Sequence, residues 1–318
     1  MQTKASPAPF LTIGTRGSPL ARAQAEAVRR RLAALHHVPV ADIAITPFIT
    51  SGDRIQDRPL SEAGGKGLFT KEIEAALIEG AVDLAVHSAK DLETFLPEGL
   101  VIGACLTRED VRDALISRDG KKLDELPRGA KLGTSSIRRA AQMLRHRADL
   151  TIVPFRGNVG TRLKKLADGI VEATLLAAAG LNRLGEAGAV TEYLDPEKFP
   201  PAPGQGVICV EIRQADNRAA ALVAPLADHR ATTELAAERA FLAGLDGSCR
   251  TPIGAYVQWL DGRLRLTGEI LSPDGKVHHR AIIDGPPESA VALGRELAAV
   301  LRAEAGDDFF AALGRRWQ

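Results

Sequence analysis

Short apolar runs alternate with longer amphipathic stretches through the first two-thirds of the chain. FLTIGTR (10–16) reads as a strand and SPLARAQAEAVRRRLAAL (18–35) as a helix. The apolar run ADIAITPFIT (41–50) follows, then a helix over GLFTKEIEAALIEG (67–80) and a strand over VDLAVHS (82–88). A second pass of the same kind begins at DALISR (113–118). It continues through KLGTSS, the helix SIRRAAQMLRHR (136–147), the strand LTIVPFRG (150–157), the helix VGTRLKKLADG (159–169) and the strand ATLLAAAG (173–180). Repeated βαβ units of this kind predict a largely parallel, doubly wound sheet.

The proline-rich FPPAPGQG (199–206) predicts a crossover or hinge, and VICVEI (207–212) another buried strand. From about residue 229 the pattern changes. A helix comes first, then strands such as RLRLTGEILS (263–272) and KVHHRAII (276–283), then the helix ESAVALGRELAAVLRAEAG (288–306). That order predicts α+β structure on an antiparallel sheet. The expected fold class is therefore α/β, with two doubly wound domains followed by a smaller C-terminal α+β domain. The expected bounds are 1–107 with 205–228 for the first domain, 108–204 for the second and 229–318 for the third.

Composition narrows the function classes. The 318 residues carry 41 Lys and Arg against 40 Asp and Glu, a net charge of +1, which argues against a general nucleic-acid or membrane-surface binder but leaves room for a local basic pocket. The N-terminal residues lack the continuous apolar core of a secretory signal, and no run is long enough to cross a bilayer. Three scattered cysteines do not make a disulfide framework and predict a reducing, cytoplasmic setting. No cluster has metal-ligand spacing.

Arginines recur at the mouths of the βα units, where open α/β sheets hold their ligands. Arg16, Arg138, Arg139, Arg156, Arg162 and Arg183 all fall at such positions. Basic residues in the first turn of a helix oppose its dipole, so several together point to a compensating anion. Arginine favours planar, bidentate recognition of carboxylate or phosphate. A solvated face is the alternative for any single one of them. AVHSAKDLE (85–93) puts Ser88, Lys90 and Asp91 at the rim of a strand, where Asp91 is either a proton-handling carboxylate or an ordinary helix cap. His87 should turn away from Ser88 into packing. Cys209 and Cys105 read as strand residues, whereas Cys249, between Ser248 and Arg250, is either a thiolate-prone loop cysteine or an incidental one.

Taken together and in order, GTRGSPLARAQ (14–24), GGKGLFTKEIE (64–74), DLAVHSAKDLE (83–93), LGTSSIRR (132–139), FRGNVGTR (155–162), AAAGLNRLG (177–185), PAPGQG (201–206) and GSCRTPIG (247–254) resemble the porphobilinogen deaminase family over nearly the whole chain. The resemblance implies three domains, the first two with the topology of type II periplasmic binding proteins. It implies a covalent dipyrromethane cofactor joined by thioether to Cys249. On that primer four porphobilinogen units are added with loss of ammonia, and hydroxymethylbilane is released by hydrolysis. It further implies that Asp91 is the catalytic carboxylate. Arg16, Arg138, Arg139, Arg156, Arg162 and Arg183 would hold the acidic side chains, with Gln24, Ser88, Lys90, Thr134, Ser135, Ser136 and Asn158 beside them.

A monomer that hands its product to uroporphyrinogen-III synthase, without metal, nucleic acid or membrane, completes what the resemblance implies. FPPAPGQG and the junction near residue 229 are expected hinges, and GGKGLF an expected lid. Two positions depart from the family pattern. Glu93 stands where proline is common and is expected to alter the loop beside Asp91; Gly160 stands where Asn or Asp is frequent and is expected to loosen the helix presenting Arg162. The rival class is a non-enzymatic anion receptor of the periplasmic type, for which the Cys249 loop has no use. A regulator or nucleic-acid binder is more distant still.

Overall fold

The structure, a computed structural model, describes residues 9–54, 67–245 and 251–315. The chain opens with β1 (Leu11–Arg16), α1 (Pro19–Leu35), β2 (Ile43–Phe48), α2 (Ser51–Arg54), α3 (Lys71–Ile78), β3 (Leu84–Ser88) and β4 (Leu100–Cys105). It then crosses to β5 (Asp113–Ser117), β6 (Lys131–Gly133), α4 (Ile137–His146), β7 (Thr151–Val153), α5 (Val159–Ala167), β8 (Ala173–Ala177), α6 (Ala178–Leu184) and β9 (Glu192–Tyr193). A return crossing leads to β10 (Ile208–Arg213) and α7 (Asn217–Val223). The chain ends with α8 (His229–Gly244), β11 (Ile253–Leu260), β12 (Arg263–Leu271), β13 (His278–Gly285) and α9 (Ala290–Arg315), the last broken at Gly306.

The strands form two five-stranded sheets of matching design, ordered β2-β1-β3-β10-β4 and β7-β6-β8-β5-β9, and a separate three-stranded sheet β11-β12-β13. In each large sheet the fourth strand, β10 or β5, runs antiparallel to both neighbours and the others share one direction. The expected parallel sheets are thus mixed. The reason is topological. β5 and β10 are the first strands entered after each crossing between the sheets, and a chain arriving from the far side enters a sheet head-down. The ends of β1, β3, β6 and β8 therefore stay together along the gap between the sheets, where open α/β sheets bind ligands.

Helices cover both faces of the first sheet, so its inner strands β1, β3 and β10 are buried almost throughout. Leu11, Ile13, Val28, Leu32, Ile43, Val210 and Val223 pack α1 and α7 on one face of the first sheet, and Ile73, Leu77, Val82 and Ala85 pack α3 on the other. Leu115, Leu132, Met143 and Leu175 fill the corresponding layer of the second sheet. In the last unit α8 and α9 lie together and bury Phe241 and Leu297 against Leu266. Truncating a fully enclosed phenylalanine such as Phe241 to alanine costs about 3–5 kcal/mol. Helix starts follow the side chains: Ser18 caps α1 ahead of Pro19, Ser136 caps α4, Asn158 caps α5 and Asp228 caps α8.

The return crossing needs its glycines. Gly204 and Gly206 have φ of 77° and 91°, and a β-carbon on Gly206 would collide with Glu109 O. Gly204 N donates to buried Glu238 Oε2 at 2.7 Å, and Glu238 with Glu234 holds Arg108. The crossing is thereby fastened to α8. Among the described residues no helix is long and apolar enough to cross a membrane.

Candidate active site

Arg16 ends β1 and points at Asp91, with Nη1 3.5 Å from Asp91 Oδ2. Its other edge faces Asp53 of α2: Nη2 donates to Asp53 Oδ1 and Nε to Oδ2, and the guanidinium lies 4.2 Å from the centre of the Phe69 ring. Burial alone would raise the Asp53 pKa, but hydrogen bonds from Arg16 and Thr50 bring it below the usual carboxylate range. Gln24 and Ser88 exchange hydrogen bonds at 2.8 and 3.1 Å on the α1 side of β3. A small pocket is lined by Arg16, Gln24, Phe69, Ser88 and Asp91.

Asp91 sits in a short turn of residues 89–91 directly after β3, not at the start of a helix. That removes the helix-cap alternative. Lys90 projects into the open gap and donates to Gln205 Oε1 at 3.2 Å. Although the side chain is reachable by solvent, the protein crowded around its ammonium, with Arg139 near, pushes its pKa down to about 8 against the pull of Asp91 and Asp113. His87 is buried with Nε2 3.2 Å from Glu211 Oε2, in packing as expected. Cys105 and Cys209 are buried cross-strand neighbours with sulfurs 3.7 Å apart.

Across the gap, Arg138 and Arg139 in the first turn of α4 converge on Asp113 at the start of β5. Asp113 Oδ1 accepts from Arg139 Nε and Nη2 at 3.1 and 2.7 Å, and Oδ2 lies 2.8 Å from Arg138 Nη1. Burial would raise the Asp113 pKa, yet the two guanidiniums hold it far below the normal range. Gln205 Nε2 also donates to Asp113 Oδ1, at 2.9 Å, so one glutamine of the return crossing joins Lys90 to the arginine wall.

Arg162 differs from that pair. Nε donates to Gly157 O at 2.9 Å, and the Arg162 pKa is pushed down to about 10, first by burial and then by Arg139 and Arg156. Arg183 is likewise lowered by burial, offset in part by Glu109, and Nη2 donates to Gly206 O at 2.6 Å. Arg162 and Arg183 thus each donate to a backbone carbonyl while burial opposes the charge of both, the environment that an anionic ligand stabilises.

The predicted polar residues shape the loops. Thr134 Oγ1 accepts from Ser136 N at 3.2 Å, Ser135 Oγ from Phe155 N at 3.1 Å and Ser136 Oγ from Arg139 N at 3.4 Å. Asn158 Oδ1 accepts from Thr161 N at 2.8 Å. That cap forms with Gly160 in the first turn of α5, where a β-carbon would meet Asn158 Oδ1. The loop after Asp91 is tethered through Glu93. Glu93 accepts from Gly67 N, and Arg239 of α8 donates to the Glu93 and Thr94 carbonyls at 2.9 Å each. Cys249, with Gly247, Ser248 and Arg250, lies outside the described residues, as do Gly64, Gly65 and Lys66 of the expected lid.

Asp53, Asp113 and Gln205 were missed as site residues. A carboxylate opening an apolar strand, as in RDALIS, was the available signal for Asp113: a wall of arginines inside a protein needs an internal partner.

The family model described as "Porphobilinogen deaminase, dipyromethane cofactor binding domain" matches residues 11–221, and that described as "Porphobilinogen deaminase, C-terminal domain" matches residues 232–303. A porphobilinogen deaminase of Nitrobacter winogradskyi is 52% identical over 299 residues, 94% of this chain and 95% of that protein. Looser likeness links the fold to an arginine-specific periplasmic binding protein of Salmonella typhimurium, with a TM-score of 0.40 at 12% identity over 71% of this chain and 94% of that one. The VFT2 domain of Bordetella pertussis BvgS gives 0.38 at 15% identity over 72% of this chain and 91% of that one. From the two matched family models and the near full-length relative, the chain belongs to the porphobilinogen deaminase family.

Proposed function

We propose that the gap between the two large sheets is where this chain carries out its porphobilinogen deaminase reaction, with Asp91 as catalytic carboxylate and the arginines as anion receptors. The observation that carries the reading is the Asp91 carboxylate at the end of β3, beside Arg16 and across the gap from Arg138, Arg139 and Arg162. Porphobilinogen bears acetate and propionate groups, so each condensation lengthens a polyanion. Arg162, Arg156 and Arg183, together with Arg16, Arg138 and Arg139, are suited to its carboxylates. Gln24, Ser88, Lys90, Thr134, Ser135, Ser136 and Asn158 are assigned to the same cleft.

The acidic side chains of a dipyrromethane fit the same surplus of guanidinium charge, and the assigned anchor is Cys249. When bound, the group supplies a covalently held pyrrole primer on which the chain grows. The residues here supply the rest. The arginine forks orient the incoming acids so that the aminomethyl carbon of porphobilinogen faces Asp91. The C–N bond breaks with ammonia leaving, and Asp91 Oδ2 offers its negative charge to the cation that remains on the substrate. As the new C–C bond forms, Asp91 accepts the proton that the attacked pyrrole carbon must lose. Arg16 limits how far the carboxylate can turn.

The working division into domains is 1–107 with 205–228, 108–204 and 229–318, and the working form is a cytoplasmic monomer passing its product to uroporphyrinogen-III synthase. Sedimentation of the purified protein tests the monomer. Incubation with porphobilinogen tests the rest: ammonia and hydroxymethylbilane should appear together. The intact denatured mass should exceed the chain mass by two pyrrole units, and that increment should vanish in Cys249→Ser. An active preparation with the unmodified mass would sink the cofactor assignment.

A further inference from the structure

The C-terminal sheet reaches into the arginine wall through one amide. Glu269 of β12 is 2% exposed, and its Oε2 lies 2.8 Å from His278 Nε2 on the neighbouring strand β13. Its Oε1 accepts from Gln142 Nε2 of α4 at 2.9 Å. The opposite end of that amide, Gln142 Oε1, accepts from Arg138 Nη1 at 2.8 Å. Pro200 O, in the return crossing, accepts from both Gln142 Nε2 and Arg138 Nη1, at 2.9 and 3.0 Å. Gln142 itself is 3% exposed, so no bulk water is at hand to replace a missing partner.

A glutamine amide has a donor end and an acceptor end, and either fits the same space. Arg138 can only donate and therefore requires the oxygen. Glu269, as a carboxylate, can only accept and requires the nitrogen. The two demands agree, and they select one of the two amide orientations. Without Glu269 the amide NH2 keeps Pro200 O but loses the carboxylate that anchors its other hydrogen, so the amide is braced on one side only. Nη1 would then keep Asp113 and Pro200 O, while the Gln142 oxygen that sets its angle is held less firmly. Packing keeps the elements in register: a β-carbon on Gly275, in the β12–β13 turn, would run into Ala141 O and Arg145 N of α4.

We propose that Glu269, held by His278, is a positioning residue of the porphobilinogen site: it fixes the Gln142 amide and thereby the orientation of the Arg138 guanidinium. The C-terminal unit thus takes part in reading the acidic side chains at a distance from them. The inference rests on the reading that Arg138 binds those acids.

Steady-state kinetics on the cofactor-loaded enzyme test it, with the covalent adduct checked by mass in each variant. Glu269→Leu and Gln142→Leu are each expected to raise KM for porphobilinogen about tenfold while kcat changes less than threefold, and the double variant to show no more than the larger single effect. Glu269→Gln, whose amide still presents an oxygen to Gln142 and an NH2 to His278, should restore KM to within about threefold. A normal KM in Glu269→Leu beside a raised one in Arg138→Ala overturns the positioning role. A normal KM in Arg138→Ala overturns the underlying reading instead. If Glu269→Leu does not fold, the Glu269→Gln and Gln142→Leu pair decides: a full KM defect in Glu269→Gln, or none in Gln142→Leu, removes the proposal.

Discussion

Asp113 takes two hydrogen bonds from Arg139 on the same oxygen, Oδ1, at 3.1 and 2.7 Å, while 99% of its surface is shut away from solvent. Removing that charge leaves Arg138 and Arg139 buried without a counter-ion. Asp113→Asn is expected to lose about 3–5 kcal/mol of stability, measured by denaturant unfolding at neutral pH. The sign with pH is fixed by the lowered carboxyl pKa. Its stabilisation is complete above the unfolded value of about 3.9 and declines as pH falls below it toward the folded one. The gap between wild type and Asp113→Asn should therefore narrow on acidification below about pH 4. A gap that stays constant contradicts the assignment.

Asp91→Asn keeps the shape of the turn but loses the charge. Turnover is expected to fall about 10²–10⁴-fold while substrate affinity changes much less, read from kcat and from binding of porphobilinogen separately. Near-normal turnover would show that the carboxylate is only structural.

Arg162 donates to the backbone carbonyl of Gly157, and burial together with Arg139 and Arg156 opposes its charge. Arg162→Gln is expected to raise KM for porphobilinogen at least tenfold, and to flatten the dependence of KM on ionic strength. Stability should change little, because the guanidinium is pushed down to about 10 by its surroundings and relief of that repulsion offsets lost contacts. Unfolding curves and salt titrations distinguish this from general damage.

Lys90, with its pKa pushed down to about 8, places one positive charge of the cleft within experimental reach. In the free enzyme kcat/KM should fall as pH rises past that value, and Lys90→Arg should move the fall upward; titration of the substrate appears in both and cancels in the comparison. Because the folded pKa lies below the unfolded one of about 10.4, the folded chain binds fewer protons between them, and this residue makes stability rise with pH through that window. A pH profile unchanged in Lys90→Arg excludes Lys90 as the titrating group.

The sequence by itself determined which segments are strands and helices, because short apolar runs such as those in FLTIGTR and VDLAVHS fit strands covered on both faces, while the buried positions of α1 recur with helical period. It also determined the family, through ordered motifs that hold Arg16, Ser88, Lys90, Asp91 and the α4 arginines at strand ends. It did not contain the direction of β5 and β10, since a side-chain pattern is the same whether a strand runs up or down its sheet. That direction follows from where the crossing chain enters, and the tertiary structure alone decided it. Nor could sequence divide the arginines. Arg138 and Arg139 are committed to Asp113, whereas Arg162 leans on a backbone carbonyl and meets its neighbours' charges, and the difference depends on which strand start lies opposite which helix. Gln205 shows the same limit: its link from Lys90 to Asp113 spans contacts 115 and 92 residues apart, and only folding brings such partners within hydrogen-bond range.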